Sequence, residues 1–598
     1  MNAAIAFILT ASVAAVYTPV PGAAQSPVYT NAWGVKVVGG LGVANSVAMR
    51  QGLTNMGQVG TLEDMYWFLL PLDKHYHIAA MAPYPQITAA LLQEDSSNDN
   101  NNLHLKVEPA WIQGFTGCGV VLAIVDDGVD FKHPDLIRNY LLGLDLNALT
   151  CTDSAFPNFG DTHGTYVAGV IGMEKSNGVC GVGVAYNSLI TGILLLSGFQ
   201  IDISEAKAFL HQNNKIDIYS NSWGPIDSGR SVLGPALMAT MALEQGAQQG
   251  RHGKGSIFVF SSGNGGRNDD DCAANGYVQS IYTIGIGALL SDGRPTDYDE
   301  RCSAKMASTF DGTSAAAPQA SGAIALALDP NHHFGFGAID AEALVTRARH
   351  WINVPQQQMC TIYVDDTIFV GPSSEESIDI LVHDEKVGFL EHVVVQATVA
   401  VFLGNRGDVQ LELTSPAGTV SILLSYRLLD IGPGLYYKWP FMSVHFWGED
   451  PYGNWTLTVR YRGAVGSVAV DDIHFTTYGT AEVPQAIQNI PATCDPVCAR
   501  GCARAGPEYC DSCLQFRIAD DLTCVDECPP GLVQRQGYCY NATLPEPICS
   551  NAKEYECSHE CKEECSSGVV SKKDACYAAC LLHYKEKHHK IRQDPYGT

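Results

Sequence analysis

Three near-continuous apolar runs constrain the fold of this chain more than any other feature of its sequence. They are residues 120–125 (VVLAIV), 256–260 (SIFVF) and 281–286 (IYTIGI), and amphipathic, helix-like stretches separate them. A strand that is apolar at almost every position must be covered on both faces, which is typical of a parallel sheet between helices. The sequence therefore predicts an α/β domain with a mostly parallel sheet over residues 96–350.

Short polar motifs follow or flank these runs. Asp126 ends the first run, His163 opens a helix-like stretch, and Ser314 opens another within the segment GTSAAAP. Nucleophilic acyl transfer needs a hydroxyl, a base beside it and a carboxylate that orients the base. Asn264, in a Gly-rich segment after the second run, carries an amide that could donate to an oxyanion. The order Asp, His, Ser is that of subtilisins, so these four residues are the predicted catalytic set.

The remaining chain divides by composition. Residues 1–24 have the apolar run and small-residue cleavage site of a signal peptide, and 25–95 read as a small separate domain. Alternating apolar and polar residues over 351–481, as in 409–413 (VQLEL), predict an all-β sandwich or jelly roll. A Pro-containing linker, 482–493, then leads to a cysteine-rich region at 494–582 and a tail at 583–598.

Charge and cysteine content limit the class of protein. The formal net charge is −27, which disfavours nucleic acid and anionic membranes and favours cationic substrates or calcium. Fourteen of the 20 cysteines lie between Cys494 and Cys580, a density typical of an oxidising compartment. No stretch is long and apolar enough for a membrane span. We therefore expect a soluble protein in the secretory pathway, in a Golgi-like compartment, or outside the cell, with no nucleic-acid partner.

Longer motifs resemble those of the kexin/furin-like proprotein convertases. In the α/β region they are DDG at 126–128, HPDL at 133–136, NGVCGVGVAY at 177–186 and YSNSWGP at 219–225. Residues 30–33 (TNAW) are similar to the convertase prodomain, 415–419 (SPAGT) to the P domain, and the cysteine spacing over 494–528 to the furin-like cysteine repeat. The resemblance implies a subtilisin-like catalytic domain, a small α+β prodomain, a jelly-roll P domain and a disulfide-rich tail.

The resemblance also implies roles for single residues. Asp126, His163 and Ser314 match the triad, and Asn264 matches the oxyanion donor. The positions that match substrate-binding residues are Asp127, Glu205, Asp227 and Asn275. Those that match ligands of a first calcium ion are Asp135, Met173, Asn177, Val179 and Gly181, and those that match ligands of a second are Asp227, Asp270 and Glu300. Cys272 and Cys302 match a family disulfide. The implied cofactor is Ca²⁺. The implied partners are protein and peptide substrates with basic residues at the cleavage site, and the chain's own prodomain as an intramolecular inhibitor.

Two substitutions in the predicted cleft depart from the convertase pattern. Asn275 stands where convertases place a second acid for the primary arginine, and Leu233 stands where they place an acid further up the cleft. Asn275 can accept a hydrogen bond but brings no charge, whereas Asp127 and Glu205 remain to attract upstream basic residues. We therefore expect basic specificity that depends less on paired basic residues than that of the convertases.

Other departures concern maturation and chain length. Lys74 is the only basic residue between Arg50 and Lys106, so the Arg-Xaa-Lys-Arg maturation site is absent, and Trp67 replaces a pH-sensing histidine. The chain is also short before Ser314 and after Leu328, where convertases carry strands and a helix. Real divergence and a gene prediction that skips exons both remain open as the cause. The pairing of Cys118, Cys151, Cys180 and Cys360 also remains open.

Alternative functions and modifications complete the expectations. A pseudoprotease that binds without turnover, or an adhesion protein acting through its cysteine-rich region, would keep much of this sequence. Zinc binding is the alternative to disulfides for Cys510 and Cys513, although the oxidising compartment favours disulfides. Asn454 and Asn541 lie in glycosylation triplets and are expected acceptors in a secretory pathway.

Overall fold

The described chain begins with a small α+β domain. Its elements are β1 (Ala32–Lys36), α1 (Gly40–Arg50), β2 (Thr54–Gln58) and β3 (Met65–Leu69), with the strands antiparallel in the order β1-β3-β2. The computed structural model describes residues 32–36, 40–50, 54–59, 61–62, 65–69, 105–177, 181–198, 200–290, 292–310, 312–327, 338–349, 351–383, 386–485, 494–498, 502, 506–511, 513–518, 523–535 and 538–540.

A seven-stranded sheet forms the centre of the next domain. Its strands are β4 (Val121–Asp126), β5 (Leu146–Asn147), β6 (Leu189–Leu194), β7 (Ile218–Asn221), β8 (Ile257–Ser261), β9 (Thr283–Leu289) and β10 (Lys305–Phe310). They are hydrogen-bonded in the order β10-β9-β8-β7-β4-β6-β5, and every pair is parallel. Every residue of β4 and of β8 is buried, because helices cover both faces of the sheet.

The helices of this domain are α2 (Val107–Ile112), α3 (His163–Gly172), α4 (Asp202–Leu210), α5 (Leu237–Gly253), α6 (Thr313–Ala327) and α7 (Ala341–Ala348). Alanines such as Ala316 and Ala320 are fully buried on α6, and these small side chains let the helix lie close to the sheet. Gln245 on α5 donates to the Thr61 hydroxyl at 2.7 Å, so the first domain contacts this helix.

A β-sandwich follows the α/β domain. Its strands are β11 (Gln358–Val364), β12 (Ile368–Val370), β13 (Ser374–Val382), β14 (Phe389–Phe402), β15 (Val409–Thr414), β16 (Val420–Leu424), β17 (Gly434–Ser443), β18 (Gly453–Tyr461) and β19 (Ser467–Thr480). One antiparallel sheet has the order β11-β19-β14-β17, with β12 also paired to β19, and the other has the order β13-β18-β15-β16. Inward-facing side chains of both sheets, including the fully buried Trp455, form its core.

The cysteine-rich region contains a four-stranded sheet of order β21-β20-β23-β22, built from β20 (Phe516–Ile518), β21 (Cys524–Val525), β22 (Val533–Arg535) and β23 (Tyr538–Tyr540). Four disulfides hold it, and they join Cys494 to Cys502, Cys498 to Cys510, Cys513 to Cys524 and Cys528 to Cys539. Cys510 and Cys513 are therefore disulfide-bonded, and zinc is not their partner.

Buried polar contacts join the cysteine-rich region to the α/β domain. The Tyr538 hydroxyl donates to Glu342 at 2.6 Å and accepts from Gln113 at 2.9 Å, while Arg347 forms a bidentate ion pair with Asp511. The fold class is thus as predicted, with a parallel α/β domain, antiparallel β-sandwich and disulfide-rich C-terminal region. Among the described residues, no helix has the length and apolar character needed to cross a bilayer.

Candidate active site

The first element of the site is the ion pair between Asp126 and His163. Asp126 is the last residue of the interior strand β4 and His163 is the first residue of α3, so the carboxyl end of the strand meets the start of the helix here. His163 Nδ1 lies 2.9 and 3.0 Å from the two carboxylate oxygens of the buried Asp126. The negative charge of Asp126 raises the pKa of His163 to about 9. This contact fixes the ring so that Nε2 is the nitrogen left to exchange a proton with a nucleophile.

The neighbouring carboxylate, Asp127, has a different partner. Its Oδ2 accepts from the backbone N–H of His163 at 3.0 Å, and its Oδ1 accepts from that of Gly164 at 2.7 Å. Thr162, at the N-cap position of α3, makes no side-chain capping bond. Asp127 therefore caps α3 from outside the helix. Burial raises the pKa of Asp127 to about 6.

Ser314 lies in the first turn of α6, where the N–H of Thr313 donates to Asn264 and those of Ala315 and Ala316 donate to the Gly312 carbonyl. No contact between described residues occupies the Ser314 N–H, which is the group of this turn that can bind an oxyanion. Among the described contacts, its hydroxyl donates to the Ser222 carbonyl at 3.3 Å and makes none with His163. Hydrogen bonds between nucleophile and base are often loose without substrate and tighten in the complex.

Asn264 is held beside the start of α6. Its Oδ1 accepts from the hydroxyl and the backbone N–H of Thr313, at 2.8 and 3.2 Å, and its Nδ2 is the end that can donate to a developing oxyanion. Gly263, just before it, has φ +116°, and a Cβ there would lie 2.3 Å from Glu300 Oε1. The glycine-rich segment is thus required to bring Asn264 past a buried carboxylate.

Asp227 and Asn275 lie near this group. Asp227 Oδ1 accepts from the backbone N–H of Asn264 at 3.1 Å, and burial raises the pKa of the carboxyl. Asn275 Oδ1 accepts from the Tyr277 N–H at 3.1 Å, and Asn275 Nδ2 lies 3.0 Å from the position of a Cβ on Gly224. The side chain of Asn275 therefore turns a donor, not an acceptor, toward Gly224.

Glu205 is buried behind the same region. Its Oε2 accepts from the Tyr277 hydroxyl at 2.8 Å, and burial raises the pKa of Glu205 to about 8. At neutral pH this carboxyl is largely protonated and has a protein partner.

The three predicted ligands of the second calcium site come together around the Gly-rich segment. Glu300 accepts from the Gly265 N–H at 3.0 Å, and Asp270 accepts from the Gly229 N–H at 2.7 Å. Burial, followed by the charges of Asp270 and Asp227, raises the pKa of Glu300 well above its ordinary value. Three largely buried carboxyl groups that repel one another are suited to binding a cation, because a positive ion would offset that repulsion. Within the described part of the chain, however, no three His, Cys, Asp or Glu side chains are already arranged to hold a metal ion.

The predicted ligands of the first calcium site are also close to one another where they are described. Asn177 Nδ2 donates to Asp135 Oδ1 at 2.6 Å. The Met173 carbonyl accepts from the Gly183 N–H at 3.0 Å, and Gly181 adopts φ +106° nearby in sequence. Val179 lies outside the described residues.

The remaining predicted positions lie away from the catalytic groups. Cys272 and Cys302 form a disulfide, and Cys118 is also disulfide-bonded. Asn454 is exposed on β18, which is compatible with glycosylation, whereas Asn541 lies outside the described residues.

Four residues of the site were not predicted from the sequence. The carbonyl of Ser222 holds the nucleophile, Thr313 orients Asn264, and Tyr277 binds Glu205. Arg427, from the β-sandwich, is fully buried and donates to Asp270 at 2.9 Å. Ser222 and Thr313 adjoin the quoted motifs and could have been found there, but Tyr277 and Arg427 are distant in sequence and gave no such indication.

Three family matches cover the first domain, the α/β domain and the β-sandwich. Residues 117–350 match the Subtilase family (peptidase S8), 390–475 match the proprotein convertase P-domain, and 32–97 match the peptidase S8 pro-domain.

Curated relatives match most of the chain. Proprotein convertase subtilisin/kexin type 6 of Rattus norvegicus is 33% identical over 84% of this chain and 70% of its own length. Furin of Homo sapiens is 32% identical over 84% of this chain and 74% of its own length. The chain spans only 35% of the human type 5 convertase, to which it is 31% identical.

A solved structure shares the fold. The crystal structure of the serine protease of Aeromonas sobria has a TM-score of 0.54 and 18% identity, and the match covers 65% of this chain and 99% of that one.

Proposed function

This chain belongs to the proprotein convertases, within the subtilase family of serine endopeptidases, and from that premise we propose that it is a calcium-dependent enzyme that cleaves secretory-pathway proproteins after basic residues. The observation that carries the proposal is the contact between both oxygens of Asp126 and His163 Nδ1, at the edge of the sheet where α6 presents Ser314. These are the roles that nucleophilic acyl transfer requires.

In the proposed reaction Ser314 attacks the peptide carbonyl while His163 Nε2 removes its proton. Asp126 holds the ring and stabilises the imidazolium that forms, and His163 then returns the proton to the leaving amine. Asn264 Nδ2 and the backbone N–H of Ser314 donate to the oxyanion. A covalent acyl-enzyme forms on Ser314 and is released by water.

We assign the primary arginine or lysine of the substrate to Asp227. Asp227 contacts the oxyanion donor directly, because its Oδ1 accepts from the Asn264 N–H at 3.1 Å. A charge-assisted hydrogen bond to a carboxylate is about twice as strong as a neutral one, so one acid is enough to select a basic side chain. Asn275 adds no second charge.

We assign calcium to two places. Asp135, Asn177 and backbone oxygens near Gly181 would hold one ion beside α3, and Asp227, Asp270 and Glu300 would hold the other. Carboxylate and carbonyl oxygens are the ligands that calcium prefers. Burial, followed by the charges of Asp270 and Asp227, raises the pKa of Glu300, and a bound cation would offset both effects. When bound, the ion would neutralise these acids and fix the Gly-rich segment next to Asn264.

We propose that the first domain is the intramolecular inhibitor and that the enzyme works in the secretory pathway or outside the cell. The contact of Thr61 with Gln245 on α5 supports an associated first domain. The five described disulfide pairs support an oxidising compartment.

The test is cleavage of quenched fluorescent peptides with one arginine before the cut, by the secreted full chain before and after limited proteolysis. Ser314→Ala should lower kcat by more than about 1000-fold, because the nucleophile is lost. The proposal fails if folded protein cleaves no basic peptide, or if Ser314→Ala retains the activity.

A further inference from the structure

Exposed aliphatic residues lie along the connection from β7 to the first residue of α5, which passes next to the catalytic groups. Ile226, Leu233 and Leu237, which we call the apolar rim, are 53%, 41% and 52% exposed. The charged residues of the connection between β7 and α5 are Asp227, which we assigned to the primary basic residue of the substrate, and Arg230, which is exposed. Single exposed aliphatic side chains are common on protein surfaces, but several close together in the chain are typical of a binding surface.

The rim is continuous with the cleft. Ser314 Oγ contacts the Ser222 carbonyl, and two residues later Gly224 lies against Asn275 Nδ2. Asn275 in turn lies beside Leu233, since the Leu233 N–H donates to the Ala274 carbonyl at 3.2 Å and the Gly276 N–H donates to the Leu233 carbonyl at 2.9 Å. Leu233 is therefore connected to the backbone of residues 222–224 by one strand-like pairing, with Asn275, and one side-chain contact, from Asn275 to Gly224.

Two acids near the apolar rim, Asp202 and Glu205, already have partners within the protein. Asp202 caps α5, accepting from the backbone N–H groups of Met238 and Ala239 at 2.9 and 2.8 Å. Glu205 is 8% exposed and is bonded to the Tyr277 hydroxyl. Burial also raises the pKa of Glu205 to about 8, so it carries little charge at neutral pH.

The exposed charged residue of the connection between β7 and α5 is Arg230, whose charge has the same sign as that of a basic substrate side chain. Arg230 is exposed, and its carbonyl is held by the guanidinium of Arg406 at 2.7 Å, so the backbone of this segment is fixed. An upstream arginine of a substrate would meet aliphatic surface and a like charge, whereas an upstream leucine would bury apolar surface.

We propose that the apolar rim is an upstream subsite that selects an aliphatic side chain, so that the preferred substrates carry one basic residue at the cut and an apolar residue before it. The proposal rests on the proposed endopeptidase function and narrows its substrate class. The occupant is the substrate segment that enters the cleft, because the rim continues the surface that holds Ser314.

The experiment profiles the secreted full chain with peptides that keep arginine at the cut and vary each upstream position in turn. At one upstream position, leucine, isoleucine or valine should exceed alanine by about 10-fold in kcat/KM, which is the discrimination expected from a few methylene groups in an apolar site, and should exceed arginine by more. Leu233→Asp should reverse that order at the same position, so that arginine exceeds leucine. Leu381→Asp, an equally charged change at an exposed leucine of the β-sandwich, should leave the profile unchanged.

A binding measurement keeps the two proposals separable. Ser314→Ala protein and its Ser314→Ala/Leu233→Asp counterpart are titrated with fluorescent peptides carrying leucine or arginine upstream, followed by anisotropy. Tighter binding of the leucine peptide, reversed by Leu233→Asp, supports the rim even if the enzyme proves inactive. If arginine is preferred over leucine at every upstream position, in cleavage or in binding, the proposal is overturned while the endopeptidase function stands.

Discussion

Asp126 and Asp127 are adjacent carboxylates with different partners. Asp126 points both oxygens at the ring of His163, whereas Asp127 points both at backbone N–H groups of α3. The side chains of neighbouring residues leave the backbone in different directions, so the acid at the strand end contacts the ring and the next acid turns to the helix. The resemblance to the convertases implies a triad role for Asp126 and substrate binding for Asp127, and the structure gives Asp127 the backbone of α3 as its partner.

At the residue scale we predict that Asp126→Asn lowers kcat by about 10,000-fold, because an amide no longer stabilises the imidazolium or fixes the tautomer. It should also change the pH profile. His163 must be neutral to act as a base, so activity of the wild type falls as pH falls through the His163 pKa, which Asp126 raises to about 9. Removing that charge should move this limb of kcat/KM to lower pH.

The measurement is kcat/KM from pH 5 to 10 for both proteins, with Asp297→Asn as a control. Asp297 is an exposed acid paired with Arg267 away from His163, so its loss should leave the limb in place. An unchanged limb in Asp126→Asn would show that Asp126 does not set the His163 pKa.

At the element scale, helix α3 depends on a cap supplied by another segment. Its own N-cap residue, Thr162, makes no side-chain bond to the helix, and the capping acid lies 36 residues before His163 in the chain. The first turn of a helix carries unsatisfied N–H groups and the positive end of the helix dipole, so an acid there stabilises both. Since the same turn carries His163, the cap also positions the base.

We predict that Asp127→Ala destabilises the protein by about 1 kcal/mol and lowers kcat more than it raises KM. Asp127→Asn keeps one acceptor oxygen and should lie between Ala and wild type. The measurements are the thermal midpoint and the kinetics on two peptides, one with arginine and one with alanine second from the cut.

The cap hypothesis expects an equal loss on both peptides. A loss confined to the arginine peptide, seen as a higher KM, would instead support the sequence-based expectation that Asp127 attracts an upstream basic residue.

At the scale of the whole molecule, the β-sandwich reaches into the carboxylate cluster of the α/β domain. Arg427 is fully buried and donates to Asp270, to Asp430 at 2.9 Å and to the Ser231 carbonyl at 2.6 Å. Trp439 Nε1 donates to the Ala273 carbonyl at 2.8 Å in the same interface. The guanidinium pairs with Asp270, yet burial and the charges of Asp270 and Asp227 still raise the pKa of Glu300.

We predict that chelation with EDTA lowers both the thermal midpoint and the activity, and that added Ca²⁺ restores both. A ligand at 100 times its dissociation constant stabilises the fold by about 2.7 kcal/mol. Glu300→Gln should reduce the shift that calcium produces, because it removes a proposed charged ligand. Asp292→Asn, an exposed acid paired with Arg294, is the matched control.

Differential scanning fluorimetry and peptide cleavage at stepped calcium concentrations provide the readouts. Thermal midpoints and rates that do not respond to EDTA would remove calcium from the proposal.

The sequence by itself determined the domain order, the parallel sheet and the four catalytic candidates. Each rests on local information. Short apolar runs rich in β-branched and aromatic residues favour strands covered on both faces. Asp126, His163, Asn264 and Ser314 adjoin the ends of such strands or the starts of helices. Such positions can be predicted from the sequence, because the local pattern of residues indicates both the type of element and where that element begins or ends.

Only the tertiary structure decided which acids are available to a substrate. Asp127, Glu205 and Asp270 look alike in the sequence, but their partners come from His163, Tyr277 and Arg427, which lie 36, 72 and 157 residues away. Whether a carboxylate is charged and open depends on its burial and on which donors the fold brings to it. The resemblance to the convertases already places Leu233 along the cleft, but its pairing with Asn275 joins two segments that are distant in the chain, so only the tertiary structure decided that contact.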